Sequence, residues 1–282
     1  MELPTRIYQK EQTLSFFKIL KESLRDIRSS LFLARQLATR DITAQYRQSF
    51  LGILWAFITP LVTALVWIIL NGSGAVRITD TGLPYPIFVI SGTLLWAIIT
   101  EAINSPISST NGAKGILSKI NFPKEALVVS GVFKLLFNAL PKVLIMIIFM
   151  VIYGVSFQLS MLLFPVILLG AIFFGTTIGF FLTPIGMLYK DISKMISMGL
   201  KFLMYATPVV FAIPAEEGIL KTLMELNPIS PILVTARDFL VGSNPEYLSY
   251  FGIVIAICVP LFFIGLVLYR ISIPIIVERM SA

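Results

Sequence analysis

The length of its charge-free apolar runs most constrains what this chain can fold into. Residues 51–70, LGILWAFITPLVTALVWIIL, carry no charge, and about 20 such residues are what a helix needs to cross roughly 30 Å of hydrocarbon. Residues 83–100 form a second run. Between Lys142 and Lys190 stand 47 uncharged residues, too many for one crossing and enough for most of two, with YGVSFQLS at 153–160 as the turn. Residues 247–269 form the last clear run. Composition agrees: of 282 residues, 57% are hydrophobic and 13% charged, against about 45–50% and about 25% in soluble domains. So few charged side chains cannot cover a water-soluble surface.

The remaining segments follow from pattern and charge. MELPTRIYQKEQ is polar and the first apolar run begins only at Leu51, so no cleaved export signal is expected. Residues 14–27 place Phe16, Phe17, Leu20, Leu24 and Ile27 on one helical arc and Lys18, Lys21, Glu22, Arg25 and Asp26 on another. That pattern predicts an amphipathic helix lying on the membrane surface or on a neighbouring helix. A second basic helix, 30–49, leads into the first span. The third span is expected to start near Ala126, placing Lys134 and Lys142 in its inner half, where long side chains snorkel or face a wet cavity. A fifth span, 195–213, is interrupted by Lys201. The segment 215–246 is too polar to cross and too apolar for a plain loop. Its LNPISPILVTARDFLVG puts proline breaks around short apolar helices, as in a re-entrant hairpin buried in protein; the alternative is a folded extracytoplasmic loop. In the hairpin reading Pro214, Asn227, Pro228, Pro231, Arg237 and Asp238 form an exit gate.

Loop charges orient the chain. With the amino terminus inside, the inner segments hold sixteen Lys or Arg and the outer ones three, a strong inside-positive bias. Both ends then lie in the cytoplasm and the span count is even. The expected fold is an all-α integral membrane protein: cytoplasmic amphipathic helices over 1–50, a transmembrane domain over 51–271, and a cytoplasmic tail over 272–282. Its six transmembrane helices are placed at about 51–70, 83–105, 126–153, 160–188, 195–213 and 247–270, with a re-entrant extracytoplasmic hairpin over 215–246.

Much chemistry is excluded. The chain has no histidine, which removes the usual general base at neutral pH and the commonest metal ligand. Its one cysteine, Cys258, sits in an apolar run and is read as packing. A net charge of +7 reflects basic inner loops rather than a nucleic-acid face. No P-loop is present; Asn111-Gly112-Ala113-Lys114 has the wrong spacing. Glu101, read as lying at the inner end of its span, is the only acid near a predicted crossing, whereas an ion-coupled carrier ordinarily needs acids near the midplane. An external energy source, an ATPase partner, fits this absence, and no cofactor is expected in this chain.

Several motifs then occur in order: Leu37-Ala38-Thr39-Arg40-Asp41-Ile42, Tyr46-Arg47-Gln48-Ser49, Leu51-Gly52-Ile53-Leu54-Trp55-Ala56, Pro60-Leu61, Pro84-Tyr85-Pro86 with Ser91-Gly92, Asn121-Phe122-Pro123-Lys124-Glu125, Tyr189-Lys190-Asp191-Ile192, Thr207-Pro208-Val209-Val210 and Leu226-Asn227-Pro228. Together, over roughly 30–280, they resemble the ABC-2 type permeases that export polysaccharides of O-antigen, capsule or teichoic-acid type. The resemblance implies a homodimer in the bacterial inner membrane, two copies of a separate nucleotide-binding subunit that binds ATP and Mg, and a continuous channel for a lipid-linked polysaccharide. Aromatic faces can support sliding sugar rings, which makes Trp55, Trp67, Tyr85, Trp96 and Tyr205 the channel candidates. Two inner segments are expected to receive the ATPase stroke, one carrying Lys119, Asn121, Phe122, Pro123 and Lys124, the other Tyr189, Lys190 and Asp191. The competing readings are a drug- or small-lipid-exporting permease of the same class and a membrane-embedded glycan- or lipid-modifying enzyme. The latter needs acids at a membrane face, which the spans do not offer apart from Glu101.

Overall fold

The computed structural model describes residues 15–47, 49–74, 83–117, 119–120 and 122–281, the side chains of Lys190, Met280 and Ser281 excepted. Among them every regular element is helical: α1 (Phe16–Ser29), α2 (Leu31–Arg47), α3 (Trp55–Gly72, led by a 3-10 turn), α4 (Tyr85–Gly112), α5 (Lys114–Leu117), α6 (Glu125–Ile152), α7 (Phe164–Leu188), α8 (Lys190–Leu203), α9 (Ile219–Leu226), α10 (Ser230–Val241) and α11 (Leu248–Ser281). Among the described residues five helices are long and apolar enough to cross a membrane: Gly52–Gly72, Tyr85–Gly112, Glu125–Ile152, Leu159–Leu188 and Leu248–Arg279. The protein is thus an all-helical, multi-pass membrane protein.

The bundle is built around α4. Every residue from Ile87 to Trp96 is buried, as expected of a helix apolar on all sides. Close approach comes from small residues: on α7, Gly175 faces Ile99 and Ala102, and Gly179, one turn on, faces Ile103 and Pro106, so that a Cβ at either would strike α4. Because both sets of contacts ascend together, α4 and α7 run in the same direction. Gly170 against Phe251 and Gly265 against Phe180 add α11 to that set. Helix α6 runs the other way, since Gly131 meets Ser105 and Asn138 and Lys142 meet Glu101. Gly112, Leu188 and the carboxyl end of α11 thus share one end of the bundle, here the near end, which also carries α1 through Asp26 and Arg270. The far end carries Tyr85, Phe164 and Leu248.

Helix α7 finishes at the near end and α11 starts at the far end, so residues 189–247 carry the chain back. The expected single helix over 195–213 is not what does so. Instead α8 has 14 residues, about 21 Å at 1.5 Å per residue, and one 3-10 turn, Met204–Ala206, follows before the backbone becomes extended at Thr207. Pro208 explains the break, because it lacks an N–H and disfavours helix at the residue before it. None of the described side chains of α8 is buried, and in α3 only Ala64 is. Helix α10 is the opposite. It carries Pro231 in its first turn, closes on Gly242 at φ 77°, and buries nine of its residues, of which Ile232, Leu233, Ala236, Phe239 and Leu240 join the apolar core shared by α4, α7 and α11.

One sequence expectation shifts. Helix α4 continues to Gly112, so Glu101 lies well inside the helix and not at its inner end.

Candidate functional site

A cavity of about 500 Å³ opens beside α3. Trp55, Thr59, Pro60 and Thr63 of α3 line it from one side, and Thr93, Trp96, Thr100 and Glu101 of α4 from the other. Asn138 and Lys142 of α6, Gln45 and Tyr46 of α2, and Met204 complete it. Its polar wall is one connected network. Lys142 Nζ donates to Glu101 Oε2 at 2.5 Å, Asn138 Nδ2 donates to Glu101 Oε1 at 2.6 Å, and Tyr46 OH donates to Asn138 Oδ1 at 3.3 Å. Three helices are tied together, and the only acid of α4 is neutralised within the bundle, as a carboxylate at membrane depth requires. The hydroxyls of Thr63, Thr93 and Thr100 bond back to their own helices.

Of the five aromatic channel candidates, Trp55 and Trp96 share this cavity. Trp67 lies farther along α3, its ring 6.5 Å from Tyr205 and 5.6 Å from Phe211, both edge-on. Tyr85 stands at the far end and donates to the Val210 carbonyl at 3.4 Å. The candidates therefore spread along the α3 side from the Trp55 cavity to the far end. Trp96 is 7% exposed and mostly packs, while Trp55 is 51% exposed and offers its face.

Two of the gate candidates, Asn227 and Arg237, anchor a polar knot at the far end. Asn227 Nδ2 donates to the Ala206 carbonyl at 3.0 Å and to Thr207 Oγ1 at 2.7 Å, and its Oδ1 accepts from the N–H of Ile229 at 3.0 Å. Arg237 is 5% exposed. It donates to the carbonyls of Pro208, Val209 and Phe88, reaches Ser91 Oγ at 3.3 Å, and lies over the Phe88 ring at 3.7 Å. Carbonyls left bare by the break at Pro208 thus find donors, which makes an unwound segment tolerable inside apolar surroundings. Gly92 admits the arrangement, since a Cβ there would overlap Val209 O and the guanidinium. Pro228 and Pro231 flank the turn into α10. A second cavity of about 580 Å³ beside the knot is lined by Pro214, Arg237, Asp238, Lys221, Glu225 and Glu246 among others, and Asp238 accepts from Ser243 Oγ at 3.1 Å.

At the near end the two expected ATPase contacts lie on the same side. Lys114 Nζ donates to the Met187 carbonyl at 3.4 Å, and Leu117 and Met187 share an apolar cluster against which Phe122 packs. Lys119, Ile120, Tyr189 and Asp191 are exposed. Phe122, Pro123 and Lys124 border a further cavity with Glu22, Asp26 and Arg270. Burial lowers the Lys124 ammonium below the ordinary lysine value, partly countered by Glu125. Ser118, Asn121 and the Lys190 side chain lie outside the described residues.

Residues 33–241 match the ABC-2 type transporter family. The chain belongs to that family. Relatives with established names are similar over most of its length. One, "O-antigen export system permease protein RfbA" of Klebsiella pneumoniae, is 25% identical over 228 residues, covering 78% of this chain and 86% of that protein. Another of the same name, from Myxococcus xanthus, is 27% identical over 202 residues, covering 71% of this chain and 76% of that protein. This ABC-2 membrane protein is therefore a homologue of O-antigen export permeases.

Within the ABC-2 region, sequence reasoning overlooked the polar network Glu101, Lys142, Asn138 and Tyr46. Its members are scattered along the chain, although the spacing of Thr93 with Thr100 and of Thr59 with Thr63 does mark a hydroxyl stripe on one face of each helix. It also overlooked the buried Tyr269 and its neighbour Arg270, whose partners lie more than a hundred residues away in sequence.

Proposed function

We propose that this chain is the permease subunit of an ABC exporter that moves a lipid-linked polysaccharide, of O-antigen, capsule or teichoic-acid type, out of the bacterial cytoplasm. It works as a homodimer in the inner membrane with two copies of a separate nucleotide-binding subunit that holds ATP and Mg. What carries this reading is the cavity of about 500 Å³ beside the thinly covered α3, in a chain whose relatives over most of its length are O-antigen export permeases. A polymer many sugars long cannot be enclosed in a pocket and must be threaded. A lining of indole faces, threonine hydroxyls and a neutralised ion pair offers stacking and hydrogen bonds without a net charge that would trap it. Exposed apolar faces on α3 and α8 suit contact with a second copy.

In this reading both termini are cytoplasmic and the near end faces the ATPase. Helix α8, its 3-10 turn and the extended residues that follow make the sixth crossing, and α9 with α10 dips back from the outer face to close the exit. Supporting this are the opposite placement of Leu188 and Leu248 and the burial of α10 among α4, α7 and α11. Deleting the gene should leave lipid-linked glycan on the cytoplasmic side and none at the surface, with both restored by the intact gene. Normal surface glycan in the deletion strain, with unchanged lipid-linked intermediates, contradicts the function.

A further inference from the structure

Two consecutive residues of α11 grip two consecutive residues at the start of α6. Tyr269 is 0% exposed, and its OH lies 3.2 Å from the Lys124 carbonyl and 2.9 Å from Thr110 Oγ1. Arg270 Nη1 donates to Glu125 Oε1 at 2.6 Å, and Glu125 is 1% exposed. The same guanidinium extends to α1, with Nη1 2.6 Å from Asp26 Oδ2 and Nη2 3.5 Å from Glu22 Oε2. Four elements, α1, α4, α6 and α11, therefore meet on the loop that precedes α6.

The arrangement goes beyond what packing needs. Helix α1 buries Ile19 and Ser23 and packs Leu20 and Ile27 on the near-end apolar cluster, and the bonds to Arg270 add its polar anchor. One cation serves three carboxylates, a fork that guanidinium supplies and ammonium does not. One turn further on, Pro274 has no N–H to offer the Arg270 carbonyl, so the intrahelical ladder of α11 lacks a bond at this turn. The cavity bordered by Phe122, Pro123, Lys124, Arg270 and Pro274 lies at the same spot.

We propose that Tyr269 and Arg270 are positioning residues for energy coupling. They clasp the loop before α6 to α1 and α11, so that a push on Phe122, Pro123 and Lys124 displaces α1, α6 and α11 as one body instead of bending the loop. This rests on the reading of the chain as an ATP-driven permease.

The test measures glycan moved per ATP hydrolysed, in vesicles holding the complex of this permease with its ATPase subunit. Glu125→Gln combined with Arg270→Gln removes the clasp without stranding a buried charge, Tyr269→Phe removes a single oxygen, and Arg270→Lys keeps the charge but loses the fork. Each complex should assemble and hydrolyse ATP in the absence of glycan near the wild-type rate. The ratio of glycan to ATP should fall about tenfold in the double variant and less in the other two. A merely structural role predicts lower yield and a proportional loss of both activities, leaving the ratio at its wild-type value, and that result overturns the clasp. Should the double variant fail to assemble, Tyr269→Phe decides: an unchanged ratio overturns the proposal and a reduced one supports it. A wild-type complex that hydrolyses ATP and moves no glycan contradicts the proposed function itself, whereas a coupled wild type matched by its variants contradicts only the clasp.

Discussion

At the residue scale, the far-end knot depends on the absence of one atom and the presence of one guanidinium. A Cβ on Gly92 would meet the Val209 carbonyl and Arg237 at once, and neither can retreat without releasing hydrogen bonds. Gly92→Ala should therefore destabilise the protein by about 1–3 kcal/mol, whereas Gly199→Ala, with nothing within 4 Å of the added atom, should be neutral or slightly stabilising. Thermal denaturation in detergent checks the pair, and equal midpoints would refute the packing described for Gly92. The Glu101–Lys142 pair makes a second residue-scale case, with side chains 28% and 13% exposed. Lys142→Met alone leaves a partly buried carboxylate and should cost up to about 3–5 kcal/mol, while adding Glu101→Gln should recover much of it. A double-mutant cycle on unfolding reads this directly, and additive losses would show that the pair is not coupled. These interactions were only partly legible in the sequence. Arg237 and Asp238 stand out as charges in an apolar segment, but Arg237 finds its partners in carbonyls of Phe88, Pro208 and Val209, and backbone carbonyls leave no mark in a sequence.

At the element scale, legibility followed the length of uncharged runs. Helices α3, α4, α6, α7 and α11 could be read because hydrocarbon demands unbroken apolar surface, and α1 because its apolar arc repeats at helical spacing. The break after α8 was less visible. Lys194 and Lys201 are exposed on it, and the helix stops at Leu203, with Pro208 barring its continuation and Asn227 and Arg237, distant in sequence, taking up the carbonyls of Ala206, Pro208 and Val209 that follow. Topology supplies the matching prediction. In a Cys258→Ser background, single cysteines at the exposed positions Gly115, Ser156 and Ser243 should divide, the first protected from an impermeant thiol reagent in intact cells and the other two labelled. Strong labelling at Gly115 would reverse the orientation and move the ATPase contacts to the wrong side. Coupling is tested by Phe122→Ala with Lys119→Glu, which removes an apolar anchor and reverses a charge at a small interface, where few contacts carry most of the binding energy. The variant should remain in the membrane yet lose glycan-stimulated ATP hydrolysis, and normal stimulation would reject this segment as the contact.

At the scale of the whole molecule, the distribution of cover is informative. Helix α4 is buried throughout residues 87–96, while α3 buries only Ala64 and the described side chains of α8 are all at least partly exposed, and the aromatic and hydroxyl lining lies on the α3 side. A second copy packed against α3 and α8 would close that side into a passage, so cysteines at the exposed α3 positions Val62 and Val66 should cross-link two copies of the chain. Monomeric protein after oxidation in the membrane would remove the dimer from the account. The most direct measurement of the central claim is transport itself. Inverted vesicles carrying the permease and its ATPase subunit are loaded on their outer face with the host's lipid-linked glycan, and the glycan sheltered from an added glycosidase is followed with and without ATP. Protected glycan should accumulate only with hydrolysable ATP and only when this chain is present. Glycan that stays fully accessible while the complex hydrolyses ATP would contradict that claim.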